Sequence, residues 1–203
     1  MNCWMQLSIP GTGDIVAIQI GMAHSKITLF SLYIDCLYST VLNLLDSSLV
    51  ALRHTIGAGP SAHILWCSDF NCHHPLWDKD CNKHLFTAVA LQDAEQLLAL
   101  IADHGMVIAL PKDIPTLESM ATKKWTWPDN VFCTDHTEGL LVKCTTEPCL
   151  RGPGTDHVPV LTMLEFPICL VPPAPTFNFC EGDTEMRPLV YRDSLRQGRA
   201  EQM

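Results

Sequence analysis

Residues 63–71 read HILWCSDFN, and the interpretation of the whole chain starts from this stretch. Its first part, residues 63–66, predicts a fully buried β-strand that ends at the polar pair Ser68 and Asp69. If the segment stays extended, the carboxylate of Asp69 and the amide of Asn71 project to the same side. Such a pair suits a site that orients a water molecule and holds a phosphate oxygen. From composition alone, an Asx turn that only ends the strand is the favoured interpretation.

Apolar runs of strand length alternate with two helical patterns around this stretch. Leucines at 42, 45, 49 and 52 predict a helix over residues 40–56, and a second helix is predicted over 86–104, with Gly105 just after its end. Strands are predicted at 14–20, 26–33, 63–66, 106–110, 125–133, 140–143 and 158–166. Strands packed with flanking helices indicate an α/β protein.

The composition limits the function classes. The chain has 203 residues, 47% of them hydrophobic, and a formal charge of −9. No apolar run reaches the about 18 residues of a membrane-spanning helix, and the first residues do not resemble a secretory signal. We therefore expect an intracellular protein without membrane contact, with its ten cysteines as reduced thiols. The acidic balance argues against a broad basic face that grips nucleic acid.

A cluster of prolines marks the predicted domain boundary. Prolines at 167, 172, 173 and 175 cannot pair in a central strand, and they favour an extended linker. We predict one domain over residues 1–166 and a flexible, Pro-rich tail over residues 167–203, with a short helix around Arg192. Fourteen acidic side chains fall within residues 67–166, so the chemistry is expected there.

Two further polar clusters lie next to predicted strands. Asp129 interrupts the aromatic stretch 125–133, and an acidic residue among apolar neighbours is costly unless a partner such as a histidine pairs with it. Asp156 and His157 open the last predicted strand, where a histidine can act as a catalytic acid or stabilise an anion. A solvent-facing Asp129 and an ordinary surface loop around His157 are the alternatives that the residues leave open.

Cysteines and histidines between positions 67 and 84 raise the question of zinc. Structural zinc sites use tightly paired ligands such as C-x₂-C, and no C-x₂-C occurs in this chain. Reduced core cysteines and surface histidines explain the cluster better than a zinc site does. The six residues are Cys67, Cys72, His73, His74, Cys81 and His84.

Four motifs in this order resemble the endonuclease/exonuclease/phosphatase superfamily: Tyr33 on a strand, SDFN at 68–71, PDNVF at 128–132 and TDHVP at 155–159. The longer stretches SDFNCHHPLWD, ALPKDIPTLES, KKWTWPDNVFC and RGPGTDHVPVLT are similar to the endonuclease domain of fungal non-LTR retrotransposons. The resemblance covers residues 12–166. It implies a four-layer α/β sandwich, in which two mixed β-sheets pack face to face with helices outside.

The resemblance also implies metal-assisted hydrolysis of a phosphate ester and gives each matching residue a role. Asp69 would orient or deprotonate the attacking water, and Asn71 would help to hold it. His157 would donate to the phosphoryl oxygen, while Asp129 keeps the imidazole oriented and cationic. Tyr33 would contact the phosphate through its hydroxyl.

Asp156 would lie on the metal side of this site. Mg²⁺ or Mn²⁺ is the implied cofactor, held by few carboxylates together with water and substrate phosphate. DNA is the implied substrate, with other phosphate esters as alternatives, and a retrotransposon origin would place the protein in the nucleus. Contacts to DNA would have to be local, through Lys123, Lys124 and Arg151, unless these are ordinary surface charges.

Departures from the family pattern predict a weakened site. The family's principal metal ligand is a glutamate upstream of the tyrosine, and the first glutamate here is Glu95. Ser31 and Ser68 also stand where the family has asparagine and glycine. We therefore expect that the chain begins inside the domain without its first strands, binds metal weakly and cleaves little.

Two other outcomes stay open. Asp14, Asp35 or Asp156 could replace the missing ligand, which would leave a reduced activity. Alternatively, the chain is a non-catalytic remnant or interaction module, and the sheet edge exposed by the missing strands would pair with another chain.

Overall fold

The computed structural model describes residues 3–22, 24–34 and 38–166. Its strands are β1 (Cys3–Leu7), β2 (Ile15–Gly21), β3 (Lys26–Tyr33), β4 (Ala62–Asp69), β5 (Met106–Ile108), β6 (Leu117–Glu118), β7 (Trp125–Thr126), β8 (Asp129–Thr134), β9 (Leu141–Thr146) and β10 (Val160–Leu164). Its helices are α1 (Tyr38–Ile56), α2 (Ala88–Asp103) and α3 (Asp135–Glu138), with 3₁₀ turns at Asp80–Leu85 and Pro148–Leu150.

Six strands form one large mixed sheet in the order β1-β2-β3-β4-β8-β5. β3 and β4 are parallel, and α1 is the crossover helix that such a pair requires. The other neighbours are antiparallel. β9 pairs with β10, and β6 pairs with β7, as separate two-stranded antiparallel sheets. The predicted α/β class, with a mixed sheet and flanking helices, is confirmed.

Apolar residues pack on both faces of the large sheet. On one face, leucines of α1 and α2 such as Leu45 and Leu97 pack with Phe30 and Trp66 of the sheet. On the other face, Leu65, Val131 and Cys133 pack with residues of β9 and β10. Because side chains alternate along a strand, the two clusters use alternate residues of β4 and β8. Within the described residues the layers are helices, the large sheet and the β9–β10 pair.

Local sequence explains the start of α2 and the division of one predicted strand. Thr87 caps α2, because its hydroxyl accepts a hydrogen bond from the amide of Ala90 at 3.1 Å. The predicted single strand over 125–133 is wrong: it is divided into β7 and β8 at Trp127 and Pro128. Proline has no N–H to contribute to a ladder, so the chain leaves the β6–β7 pair there and enters the large sheet.

One strand was not predicted from the sequence, and one predicted segment lies outside the described residues. β1 was not predicted, because residues 3–7 read CWMQL and show no clear alternation. The predicted tail over residues 167–203 and the helix around Arg192 lie outside the described residues.

Candidate active site

Three adjacent strands, β3, β4 and β8, bring three of the predicted residues into one row at one end of these strands. In the parallel pair of β3 and β4, Tyr33 lies opposite Asp69. In the antiparallel pair of β4 and β8, Asp69 lies opposite Asp129. All three occupy the positions of their strands that face away from α1 and α2, as Leu65 and Val131 do. The phenol of Tyr33 is exposed, whereas both carboxylates are half-buried.

His157 and Asp129 form a hydrogen-bonded pair. The Nδ1 atom of His157 lies 3.0 Å from Oδ2 and 3.2 Å from Oδ1 of Asp129. The pairing supplies the histidine partner that an acidic residue among apolar neighbours requires. Burial raises the pKa of Asp129, while hydrogen bonds from Thr116 and His157 and the charge of His157 act in the opposite direction. The carboxylate thus fixes one ring nitrogen of His157 and leaves Nε2 for another partner.

Asp69 ends β4 and begins a tight turn. Its Oδ1 atom accepts a hydrogen bond from the amide of Asn71 at 3.1 Å, so the Asx-turn alternative describes the local structure. Asn71 has a φ of 48° and lies in the left-handed region, so the segment does not stay extended through Asn71. Its side-chain amide donates to the carbonyl of Ile34 at 2.8 Å, which ties the turn to the end of β3. Oδ2 of Asp69 stays available on the His157 side.

A gap separates Asp69 from His157. Nε2 of His157 lies 3.8 Å from Oδ2 of Asp69, too far for a hydrogen bond. One ligand atom each of Asp69, Asp129 and His157 lies within 4.8 Å of the others, which makes this a group that could hold a metal ion. A cavity of about 370 Å³ adjoins the group and is lined by Asp129, His157, Cys67 and Thr155, among others. The imidazole Nε2 of His157 and a carboxylate oxygen of Asp69 therefore lie close together, beside a cavity that His157 and Asp129 help to line.

The segment that carries His157 is held by β6. Leu117 forms an isolated bridge with His157, and the amide of Glu118 donates to the carbonyl of Asp156 at 2.9 Å. The guanidinium of Arg151 bonds Oε2 of Glu118 at 2.7 Å and the carbonyl of Thr155 at 2.9 Å. Arg151 therefore braces the loop before His157, and its guanidinium is not free for the DNA contact considered from the sequence.

The remaining predicted residues have different surroundings. Asp156 is half-buried next to His157, but it is not part of the three-residue group, and its role as a metal ligand stays a prediction. Asp14 is exposed, and its carbonyl accepts from the amide of Tyr33 at 2.8 Å, which places it at the same edge of the sheet. Asp35 lies outside the described residues. Lys123 and Lys124 are exposed in the β6–β7 hairpin.

The cysteine and histidine cluster does not form a zinc site among the described residues. His73 bonds the buried carboxylate of Asp78 at 3.1 Å, and Cys81 is exposed. The potential metal-binding group in the described part is the one at Asp69, Asp129 and His157. Burial raises the pKa of the Cys67 thiol to about 11, so this thiol is protonated near the cavity.

Thr116 is a site residue that sequence reasoning missed. It is fully buried, and its hydroxyl oxygen accepts a hydrogen bond from the amide of Asp129 at 3.1 Å. In sequence it stands between Pro115 and Leu117, where a turn is the natural interpretation, and no periodicity marks it. The position of Thr116 inside the stretch ALPKDIPTLES was the one available signal.

A mixed sheet whose strand ends carry an aspartate and a His–Asp pair defines a domain of the endonuclease/exonuclease/phosphatase superfamily. Within it, the chain belongs to the family described as endonuclease-reverse transcriptase, which matches residues 27–161. No curated protein sequence matches the chain.

Solved structures share the fold at low identity. The endonuclease domain of TRAS1, a telomere-specific non-LTR retrotransposon, is 18% identical with a TM-score of 0.63, over 81% of this chain and 69% of that one. An AP endonuclease from Leishmania major is 15% identical with a TM-score of 0.62, over 76% of this chain and 55% of that one. A 3'-5' exonuclease from Neisseria meningitidis is 12% identical with a TM-score of 0.52, over 81% and 71%. The chain thus spans little more than half of the Leishmania protein.

Among the described residues, no helix is both long and apolar enough to cross a membrane.

Proposed function

We propose that this chain is a metal-dependent phosphodiester hydrolase domain of retrotransposon origin, with DNA as its substrate and a weakened metal site. The observation that carries the proposal is the free Nε2 of His157, held by Asp129 and facing Asp69 across a gap of 3.8 Å. A phosphoryl oxygen that gains charge during hydrolysis needs a positioned donor of this kind. A carboxylate beside it can orient the attacking water.

Each residue of the site has a part in this chemistry. Asp129 holds the ring of His157 through Nδ1, and the protonated ring donates from Nε2 to a phosphoryl oxygen. Asp69 accepts a proton or a hydrogen bond from the water through Oδ2, because its Oδ1 is engaged by Asn71. The exposed phenol of Tyr33, one strand away, is available to a neighbouring phosphate oxygen.

The donor set fits a magnesium or manganese ion, with Asp69 as its main ligand. Mg²⁺ uses one or two carboxylates and keeps several waters, which supplies a charge that neutralises a bound phosphate. Both oxygens of Asp129 lie within 3.2 Å of His157, so this carboxylate is largely committed to the histidine. No glutamate belongs to the group in the described part of the chain. We therefore expect weak metal binding and slow turnover. After a small rearrangement, Asp14 or Asp156 would serve as the additional metal ligand.

DNA is favoured over other phosphate esters by the kinds of protein that share the fold. TRAS1 and the Leishmania major protein are an endonuclease domain and an AP endonuclease by name. Lys123 and Lys124 lie in the turn of a hairpin whose first strand borders His157, so we expect basic contacts to DNA to come from this hairpin. Because the chain carries a charge of −9, we expect few phosphate contacts and a shallow salt dependence. A retrotransposon origin would place the protein in the nucleus.

Nicking of supercoiled plasmid at millimolar Mg²⁺ or Mn²⁺ tests the proposal. We expect a slow, metal-dependent conversion to the open circle that Asp69→Ala and His157→Ala both abolish. Exposed residues away from the site, Asp93 and His84, offer matched controls, so Asp93→Ala and His84→Ala should nick as the unmodified chain does. Fast nicking that both site variants abolish would retain the hydrolase and refute the weakened metal site. Nicking that survives in both would refute the site itself.

A second candidate, a non-catalytic interaction module, is favoured by one observation. β1 forms an edge of the large sheet, has no charged residue, and exposes Trp4 by 72% and Met5 by 50%. Unprotected apolar edges pair readily with another strand. Light scattering would show a dimer that Met5→Lys dissociates if this edge pairs. A monomer without nicking and without metal binding would leave neither candidate supported.

A further inference from the structure

Thr116 bonds the backbone of Asp129 and that of Val158, the residue directly after His157. Its hydroxyl oxygen accepts from the amide of Asp129 at 3.1 Å, and its carbonyl accepts from the amide of Val158 at 2.7 Å. Its own amide donates to the carbonyl of Thr126 at 3.1 Å. One buried residue is therefore bonded to the start of β8, to the residue after His157 and to β7.

The hydroxyl of Thr116 has no exposed surface, so water cannot replace it as the acceptor for the amide of Asp129, and an unmade hydrogen bond there is costly. The carbonyl of the same residue holds the amide of Val158, directly after His157. The backbones that carry the carboxylate and the imidazole are therefore both held by one buried residue.

We propose that Thr116 is a positioning residue that aligns the Asp129 carboxylate with Nδ1 of His157 and so directs Nε2 into the cleft. The proposal deepens the proposed function and rests on it for its catalytic consequence, but the alignment itself can be measured without substrate. Threonine suits the position because its branched β-carbon restricts χ1 and keeps the hydroxyl pointed at one partner.

Thr28 provides a matched control. It is also fully buried, and its hydroxyl accepts from the side chain of Gln19 at 3.1 Å, among residues that face the helices rather than the site. Thr28→Val and Thr116→Val remove the same group from equally buried positions. Both should lose stability, so a difference between them reports the role at the site.

The test compares Thr116→Val, Thr116→Ser and Thr28→Val by ¹H,¹⁵N spectra of the histidine rings and by residual nicking rate. In the unmodified chain, Thr116→Ser and Thr28→Val, we expect a downfield Nδ1–H resonance of His157 that marks its bond to a carboxylate. Thr116→Val should lose or broaden this resonance and nick roughly tenfold more slowly, with the rate restored by Ser. If Thr116→Val does not fold, Thr116→Cys takes its place, because cysteine is of similar size and forms weaker hydrogen bonds. Its nicking rate and its His157 resonance should lie between those expected for Ser and Val.

An unchanged His157 resonance in Thr116→Val, or in Thr116→Cys, would overturn the positioning role, as would a Ser variant that behaves like Val. If the unmodified chain does not nick at all but the resonance responds as expected, the alignment stands and the proposed function fails.

Discussion

The two ends of β4 each meet a histidine, and the two histidines are held in opposite ways. At the start of the strand, His63 is buried, with Nδ1 3.0 Å from the hydroxyl of Thr137 and its ring edge-on to Phe166. Burial, and then the nearby His136, lower the pKa of His63, so the fold favours its neutral form. At the other end, His157 is partly exposed and bonded to a carboxylate.

The difference separates a structural histidine from one suited to chemistry. The hydroxyl of Thr137 is itself bonded to Thr134 at 2.7 Å, so the polar groups around His63 bond one another in a closed network. His157 has one nitrogen fixed and the other facing a cleft. A satisfied network stabilises the fold, whereas a fixed ring with a free donor can act on a ligand.

The largest expected effect is on catalysis. His157→Ala should reduce the residual nicking rate about 100-fold or more, because it removes the donor that faces the phosphate. His63→Ala should leave the rate per folded molecule unchanged. Single-turnover nicking, corrected for the folded fraction by circular dichroism, measures both. Equal losses in the two variants would remove the distinction between the two ends.

The expected effect on stability is the reverse. His63→Ala should destabilise the fold by about 2 kcal/mol, since it opens a cavity and leaves the hydroxyl of Thr137 short of a partner. His157→Ala should cost less, about 1 kcal/mol, because the ring is partly exposed but the half-buried carboxylate of Asp129 loses its partner. Urea unfolding followed by tryptophan fluorescence gives both values. A larger loss for His157→Ala would mean that this ring is mainly structural.

Asp129 should make the stability of the fold depend on pH. Its pKa in the fold is raised by burial, so the unfolded chain releases this proton at a lower pH than the folded one. Stability due to this group is therefore present below the ordinary value of 3.8 and is lost as pH rises through the folded pKa. Relative to Asp129→Asn, the unmodified chain should lose melting temperature between pH 3.5 and pH 7. A difference that is constant with pH would contradict this direction.

The smallest expected effect is a loss of stability in acid that comes from His63, at the start of β4. The pKa of His63 is lowered in the fold from an ordinary 6.5, so the unfolded chain binds this proton more readily. Its contribution to stability is full above pH 6.5 and is lost as pH falls through the folded pKa. His63→Gln should therefore lose less melting temperature than the unmodified chain between pH 7 and pH 5. Equal slopes in the two proteins would refute this assignment.

The sequence predicts the site at the His157 end of β4 better than the network at the His63 end. Asp129 and His157 were recognisable because each breaks an apolar run, and a charged residue there needs a partner. The pairing of His63 with Thr137 was not, because it depends on the antiparallel registry of β4 and β8 and on the short helix α3. Long-range contacts of this kind leave no local pattern.

The same limit applies to two alternatives that the sequence left open. Only the fold shows that the guanidinium of Arg151 bonds Glu118 and Thr155. Only the fold shows, too, that an Asx turn at Asp69 ends the strand and brings Asn71 back to the end of β3.

Paramagnetic Mn²⁺ gives the most direct test of the central claim, that the Asp69–Asp129–His157 cleft is the metal and phosphate site. The ring signals of His157 and His63 report the two ends of β4 in a single spectrum. We predict that millimolar Mn²⁺ broadens the His157 signals, leaves those of His63 sharp, and has no such effect in Asp69→Ala. Equal broadening of both rings, or broadening of His157 that persists in Asp69→Ala, would contradict the assignment of this cleft as the active site.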